Sequence, residues 1–139
     1  MSLTLKIVTP DGVTYDSAAD SVSLPTMAGE ITVLPHHIPL VTVLKAGEVR
    51  IKTLTQEFAL SVSSGVVEIR PGSVVYVLAE TTERAEHIDL DRAEAARARA
   101  AELMQQQERL DDEDFARLTA SLEKELVRLR VGRKYRKLS

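Results

Sequence analysis

The sequence predicts an α+β fold, in which an antiparallel β-sandwich or flattened barrel is followed by an antiparallel two-helix hairpin. All five prolines and five of the six glycines lie within the first 72 residues. Neither residue occurs between Ser73 and Val131. Because glycine and proline mark turns and interrupt helices, this division indicates a turn-rich first part and a helical second part. We therefore place two domains at residues 1–86 and 87–139.

The first part alternates between apolar and polar residues with a period of two, as half-buried strands do. Leu3, Leu5 and Ile7 share one face before a turn at residues 10–12. Further short strands are predicted around residues 22–24, 49–53, 58–62, 67–69 and 74–78. Such closely spaced strands are typical of a sandwich or small barrel. Segment 34–39 contains two prolines, so we expect it to be irregular and to lie at one end of the sandwich.

Strong helix formers fill the second part, with six alanines between residues 93 and 101. A break is predicted at residues 110–114, where acidic side chains suit the start of a second helix. In that helix apolar residues recur at spacings of three and four, which predicts one stripe packed against the first helix. The stripe consists of Phe115, Leu118, Leu122, Leu126 and Leu129, with Leu103 and Leu110 leaning on it.

The hairpin is predicted to be marginally stable by itself. Ordering each residue costs roughly 1–2 kcal/mol of backbone entropy. A face built mostly of alanine recovers little of this on burial, at about 25 cal/mol per Å². The position of the hairpin should therefore depend on the surface it docks against, which is typical of a conformational switch.

The composition excludes several functional classes. The chain has no cysteine, so thiol catalysis and cysteine-based zinc sites are absent. The net charge of −3 argues against a general nucleic-acid binder. No apolar run is long enough to span a bilayer, and no secretory leader is visible. No nucleophile–base pair, catalytic carboxylate pair or metal cluster can be assembled, so no enzyme is predicted and no catalytic or metal residue is assigned.

One segment carries a family resemblance. The stretch GEITVLPHHIPLV at residues 29–41 resembles the segment GE-(L/I)-x-(I/V)-(L/Y)-P-G-H-x-P-L of the epsilon subunit of F-type ATP synthase, bacterial type. The stretches LKIVTPDGVTYD at 5–16 and VSSGVVEI at 62–69, and residues 84–93, are also similar to that family. The resemblance covers nearly the whole chain in order. It implies a non-catalytic component of the central stalk that requires no cofactor.

The resemblance also implies partners and a location. In that family the sandwich binds the gamma subunit and the c-ring, while the hairpin lies folded or extends into the alpha/beta catalytic head and blocks ATP hydrolysis. The complex would place the chain peripherally at the cytoplasmic face of the bacterial plasma (inner) membrane, without membrane insertion. Glu30 and His37 match the subunit-contact segment, although His37 also suits a locally bonded turn histidine. His36 stands where the family usually has glycine, and Thr32 stands where glycine is common. Either residue could change the conformation of the loop, which the sequence does not decide.

Residues 88–93, IDLDRA, match the motif I/L-D-x-x-R-A through which some bacterial relatives bind ATP on the folded hairpin. The nucleotide-binding candidates carried over by this resemblance are Glu83, Ile88, Asp89, Arg92, Ala93, Arg99, Lys124 and Arg128. The acidic residues would contact adenine or ribose, and the basic ones the phosphates. No glycine-rich phosphate loop occurs, which indicates a surface clamp. The alternative is a capped helix start with a solvated charged face.

A basic cluster occupies the C-terminal end of the second helix. Its members are Arg128, Arg130, Arg133, Lys134 and Arg136, followed by Lys137. Such charge is favourable at a helix end. It would also suit contact with acidic surfaces of the catalytic head, as basic residues do in inhibitory family members. Our hypothesis is thus a stalk subunit and brake on ATP hydrolysis, with ATP as a candidate regulatory ligand. The alternative is a free-standing nucleotide-binding sensor.

Overall fold

Ten β-strands and two α-helices are present in the residues that the computed structural model describes, 2–106 and 111–136. The strands are β1 (Leu3–Thr9), β2 (Gly12–Ala19), β3 (Ser21–Thr26), β4 (Gly29–Val33), β5 (Leu40–Leu44), β6 (Gly47–Lys52), β7 (Glu57–Val62), β8 (Gly65–Arg70), β9 (Val74–Ala79) and β10 (Thr82–Arg84). They form one sheet in the order β10-β7-β6-β3-β5-β8-β9-β1-β2, with β4 paired to β3. The predicted α+β class is confirmed.

Two units divide the chain, Met1–Arg84 and Ala85–Ser139. The division falls after Arg84, whereas the sequence placed it after residue 86. The first unit contains all ten strands. The second begins with a single 3₁₀ turn at Ala85–His87, followed by α1 (Leu90–Gln106) and α2 (Asp112–Arg136).

The sheet of the first unit wraps into a flattened barrel. The ring of Tyr15 on β2 lies 5.7 Å from that of Phe58 on β7, so the two ends of the sheet meet there. The guanidinium of Arg84 on β10 lies over the Phe58 ring at 4.7 Å. One expectation needs correction, because β1 and β9 pair in parallel. Strands joined by a short hairpin must be antiparallel, but these two are distant in the chain and are free of that constraint.

Alternate residues of the strands form the core of the sandwich, as the period of two predicted. The side chains of Leu3, Leu5 and Ile7 on β1 are buried, while Thr4 is exposed. Residues from strands β2 to β9 complete the same apolar cluster. They include Val22, Leu24, Val33, Leu44, Val49, Ile51, Leu60, Val67, Val75 and Val77.

The loop between β4 and β5 contains an unusual backbone conformation. His36 has φ of 69°, in the left-handed region that costs a residue with a side chain roughly 1–2 kcal/mol. Its backbone N–H donates to Ser73 Oγ at 2.9 Å. His36 occupies the position where the family usually has glycine, which adopts this conformation at no steric cost. The hydrogen bond to Ser73 therefore helps to hold His36 in a conformation that favours glycine.

Both helices of the second unit begin with an aspartate cap. Asp89 Oδ1 accepts a hydrogen bond from the backbone of Arg92 at 3.1 Å at the start of α1. Asp111 Oδ1 accepts one from the backbone of Asp114 at 2.7 Å at the start of α2. Each bond satisfies a donor that the first helical turn leaves unpaired. The predicted second helix start among the acidic residues is therefore confirmed.

The predicted apolar stripe of α2 is only partly correct. Leu129 is buried, and Leu118 and Leu122 are half-buried, but Phe115 and Leu126 are 53% and 47% exposed. Val127 and Val131 are buried instead. They are two residues away from Leu129, which turns them by about 200° around the helix. The C-terminal half of α2 therefore buries two faces, whereas a single stripe assumes one. Leu103 is exposed, and Leu110 lies outside the described residues.

Candidate functional site

The nucleotide motif forms the base of the folded hairpin. Ile88 and Ala93 are fully buried, and Asp89 is engaged as the cap of α1. Arg136 Nη2 donates to the backbone oxygen of Ile88 at 2.6 Å. A methyl group at Gly132 would lie 3.1 Å from Ile88 Cγ2, so the absence of a side chain there allows α2 to approach closely. These residues hold the two helices together.

An open groove of about 390 Å³ runs along one side of the hairpin, and we call it the Arg92 groove. Its lining residues are Arg92, Ala95, Ala96, Arg99, Ala100 and Leu103 of α1 with Leu118 and Ser121 of α2. Arg92 and Arg99 are seven residues apart, so they lie about two turns apart on one face. The structure therefore brings these two predicted phosphate ligands together beside an apolar floor.

The remaining nucleotide candidates do not line this groove. Arg128 Nη1 donates to Glu125 Oε2 at 2.9 Å, with side chains only 17% and 9% exposed respectively. Lys124 is half-buried. Glu83 belongs to β10 in the first unit, where its backbone pairs with Ser61 of β7. Sequence reasoning missed Glu125, although its position three residues before Arg128 is a visible ion-pair signal.

A second groove of about 440 Å³ contains part of the basic cluster, and we call it the Arg130 groove. It is lined by Glu94 and Arg97 of α1 and by Leu126, Leu129, Arg130, Arg133 and Lys134 of α2. Arg97 donates to Glu94 through Nε and Nη2, and this lowers the pKa of the Glu94 carboxyl below its usual value. Arg128 bonds to Glu125 and Arg136 to the backbone oxygen of Ile88. The predicted basic cluster therefore lies only partly in this groove. Lys137 lies outside the described residues.

The predicted subunit-contact residues are held by the first unit. Glu30 on β4 forms an ion pair with Arg50 on β6, across the intervening strand β3. His37 Nδ1 donates to the backbone oxygen of Ile38 at 2.6 Å, as expected for a turn histidine. Glu30 is the second residue of β4, and His37 lies in the loop that follows this strand. The predicted contact segment therefore extends along the strand and its loop.

A row of apolar side chains, four of them exposed and one half-buried at Val8, crosses the outer face of the sheet. Register pairing connects Val43 on β5, Val66 on β8, Leu78 on β9, Val8 on β1 and Val13 on β2. Val43, Val66 and Leu78 are 50%, 40% and 53% exposed. We call these five residues the apolar row. The sequence analysis missed it, although the adjacent valines at 66 and 67 break the alternation and signal a strand that is apolar on both faces.

Two kinds of site are absent from the part of the chain that the structure describes. No group of three or more His, Asp or Glu residues there could hold a metal ion. No described helix is long and apolar enough to span a bilayer.

Comparison with known families assigns the chain. Residues 2–85 match the β-sandwich domain of the ATP synthase delta/epsilon chain, and residues 86–132 match its long α-helix domain. The chain belongs to the epsilon-subunit family of F-type ATP synthases. It is therefore a non-catalytic subunit of the central stalk of a hydrogen-ion-transporting synthase. The predicted family and the absence of a catalytic role are confirmed.

Curated relatives align along almost the full chain. The ATP synthase epsilon chain of Dehalococcoides mccartyi is 44% identical over 135 residues, covering 97% of this chain and 95% of the relative. The ATP synthase epsilon chain of Bacillus licheniformis is 43% identical over 132 residues, covering 95% and 98%.

Solved structures share the fold at low sequence identity. A chain of the Euglena gracilis mitochondrial ATP synthase superposes with a TM-score of 0.75 at 19% identity, covering 88% of this chain and 76% of that one. A chain from the central stalk and c-ring of the Tetrahymena thermophila mitochondrial ATP synthase gives 0.70 at 11% identity, covering 95% and 97%. At these identities the likeness concerns the fold alone.

Proposed function

We propose that this subunit couples the catalytic head of ATP synthase to the proton-driven rotor, and that its hairpin inhibits ATP hydrolysis. The sandwich docks on the gamma subunit and the c-ring at the cytoplasmic face of the bacterial plasma membrane, where the chain is peripheral. The apolar row is the observation that carries the docking role. Membership in a family of stalk subunits supports gamma as its occupant.

The chemistry of the sheet face suits a protein partner. The apolar row leaves valine and leucine side chains in water, and covering them is favourable by about 25 cal/mol per Å². Beside the row, the Arg70 guanidinium lies 4.1 Å above the Tyr76 ring and donates to Glu68 at 2.9 Å. This hydrogen bond lowers the pKa of the Glu68 carboxyl. An apolar centre with a rim of tyrosine, arginine and acid is typical of protein interfaces.

The segment from Glu30 to Ile38 is proposed to contact the c-ring. Leu34 and Ile38 expose large apolar side chains in the loop after β4, beside His37. The Tetrahymena chain that shares this fold comes from an assembly of central stalk and c-ring, which supports this partner. The Glu30–Arg50 ion pair would fix the strand that carries the loop.

The brake is proposed to use basic side chains that make contacts within the hairpin while it is folded. Arg136 donates to the oxygen of Ile88 on the facing element, and Arg133 lies 3.8 Å from Glu94 of α1. Both contacts are lost when the helices separate. The released charges would then attract acidic surfaces of the alpha/beta head. A small free-energy difference between the two states allows partners to select one of them.

Removing the hairpin should release the brake. A chain truncated after His87 is expected to retain binding to gamma and to raise ATP hydrolysis by the assembled head, measured side by side with the full chain. Val66→Asp in the full chain should instead abolish gamma binding, because it buries an unpaired carboxylate in the interface. Leu54→Asp is the matched control, since Leu54 is 93% exposed between β6 and β7 and does not belong to the row. Unchanged hydrolysis by a head that carries the truncated chain would contradict the brake.

We further propose that ATP binds the folded hairpin at the Arg92 groove and favours that state. Arg92 and Arg99 would take the phosphates, and the apolar floor would lie against the base. Glu83, Lys124 and Arg128 remain proposed ligands through the family motif alone. For Arg128 to join, it must exchange the carboxylate of Glu125 for phosphate. Family membership argues against the alternative of a free-standing sensor, which would act without gamma.

Calorimetric titration tests the nucleotide site. Arg92→Ala and Arg99→Ala are each expected to weaken ATP binding about tenfold, because each removes a charge-assisted hydrogen bond. Arg117→Ala is the control, since it removes the same charge from α2 at an exposed site paired with Glu113. Equal weakening in all three variants would indicate attraction by net charge and would contradict a site in this groove.

A further inference from the structure

We propose that the Arg130 groove is a binding site for a phosphoryl anion, separate from the Arg92 groove and formed only in the folded hairpin. Its described lining carries four cations, Arg97, Arg130, Arg133 and Lys134, against the single carboxylate of Glu94. The cations come from both helices. The excess positive charge therefore lies where α1 and α2 face each other.

Only some of the N–H donors in the groove already have a hydrogen-bond acceptor. Glu94 accepts from Arg97 Nε at 3.1 Å and from Nη2 at 2.5 Å, which occupies one edge of that guanidinium. Arg133 Nη2 is 3.8 Å from the other Glu94 oxygen, beyond hydrogen-bond length. Among the described residues, none forms an ion pair or a side-chain hydrogen bond with Arg130. Two guanidiniums on α2 thus retain donors that a further anion can take.

The chemistry of these donors selects the ligand. A guanidinium presents a planar fork of N–H groups that matches two oxygens of a phosphoryl group. A phosphoryl anion also carries more than one charge in a small volume, as the excess of cations requires. Leu126 and Leu129 supply apolar lining beneath the charges, which strengthens electrostatic attraction by displacing water. A groove of about 440 Å³ has room for more than one phosphoryl group.

The two grooves are distinct because they lie on different faces of α1. Glu94 is two residues after Arg92, which turns its side chain by about 200° around the helix axis. Ala93, which lies between Arg92 and Glu94 in the chain, is fully buried. An anion in one groove therefore cannot reach the arginines of the other, and variants of the two grooves separate the sites.

Binding at this groove would stabilise the folded hairpin. Because the ligand bridges Arg97 of α1 and Arg130 or Arg133 of α2, it has no equivalent site when the helices part. A ligand that binds one state stabilises that state by mass action. If the brake proposed above operates, the anion would also withhold these arginines from the catalytic head. That consequence rests on the proposed function, whereas anion binding does not.

Titration of the full chain with sodium pyrophosphate at low ionic strength tests the site. Arg130→Ala and Arg133→Ala are each expected to weaken binding about tenfold, and the control Arg117→Ala by no more than about twofold. Arg130→Lys keeps the charge and loses the fork, so it should give an intermediate value. Pyrophosphate should raise the thermal midpoint of helix loss in the unsubstituted chain and not in Arg130→Ala. Circular dichroism checks that each variant keeps its helices.

Three results would overturn the proposal. The first is absence of binding at millimolar pyrophosphate. The second is equal weakening by Arg117→Ala, which would show attraction by net charge alone. The third is weakening confined to Arg92→Ala, which would locate the anion in the other groove. None of these results depends on hydrolysis by the assembled head, so failure of the brake and failure of this site are distinguishable.

Discussion

Replacing Gly65 with alanine is expected to destabilise the sandwich by about 3 kcal/mol or more. A methyl group at this position would overlap the carbonyl oxygen of Leu78 and lie 2.8 Å from its carbonyl carbon. It would also lie 2.9 Å from Ala79 Cα. These are backbone atoms of the neighbouring strand β9, which cannot rotate away as a side chain can. Urea unfolding of the full chain measures the loss.

Ser64→Ala is the matched control for Gly65→Ala. Ser64 is exposed and adjacent, so its substitution should change the free energy of unfolding by no more than about 0.5 kcal/mol. An unchanged unfolding midpoint for Gly65→Ala would mean that β8 and β9 separate at this end without cost. Val66 and Leu78 lie in these two strands, so a displaced β8 would also disrupt the apolar row and the gamma docking that we propose for it.

Ile88→Ala is expected to lower the stability of the folded hairpin by about 2–5 kcal/mol, in the absence of any nucleotide. Ile88 is fully buried, and its backbone oxygen accepts the hydrogen bond from Arg136. Truncation leaves a cavity where α2 packs against Ile88 at Gly132. Hydrogen exchange of the amides in α1 and α2 measures the change, and limited proteolysis should show faster cleavage of the hairpin.

Two further variants define the role of Ile88. Ile88→Val removes one methyl group and should cost only about 0.5–1.5 kcal/mol. Arg92→Ala removes an exposed side chain while keeping the Asp89 cap, so amide protection should persist. Full protection of the helices in Ile88→Ala would identify the side chain as a ligand contact and not as part of the hairpin core.

The fold was predictable from the sequence wherever it depends on local patterns. The alternation of Leu3, Leu5 and Ile7 predicted a strand with one buried face, and the aspartates predicted helix starts. The parallel pairing of β1 with β9 was not predictable, because no short-range signal identifies partners so distant in the chain. The second buried face of α2 was missed for a related reason. Its valines are too few to form a periodic pattern.

The parts of the candidate site that depend on local spacing were also predictable. Arg92 and Arg99 share a groove because a spacing of seven residues returns to one helix face. Glu125 and Arg128 are visible as a pair, but only the structure shows that this pair is withdrawn from solvent. The apolar row depends on the register of five strands. A single sequence does not reveal that register, since each strand contributes only one residue to the row.

The position of β1 between β9 and β2 has a consequence for how the chain folds. Thr4 pairs with Val74, so the first strand finds one of its two neighbours only after almost the whole sandwich has been synthesised. Closing so long a loop carries an entropic cost, and proteins dominated by such distant contacts fold slowly. Until Ala79 leaves the ribosome, the β1–β2 hairpin has an unpaired edge and an uncovered apolar face. The nascent subunit is therefore most exposed to misassociation just before its last long strand emerges.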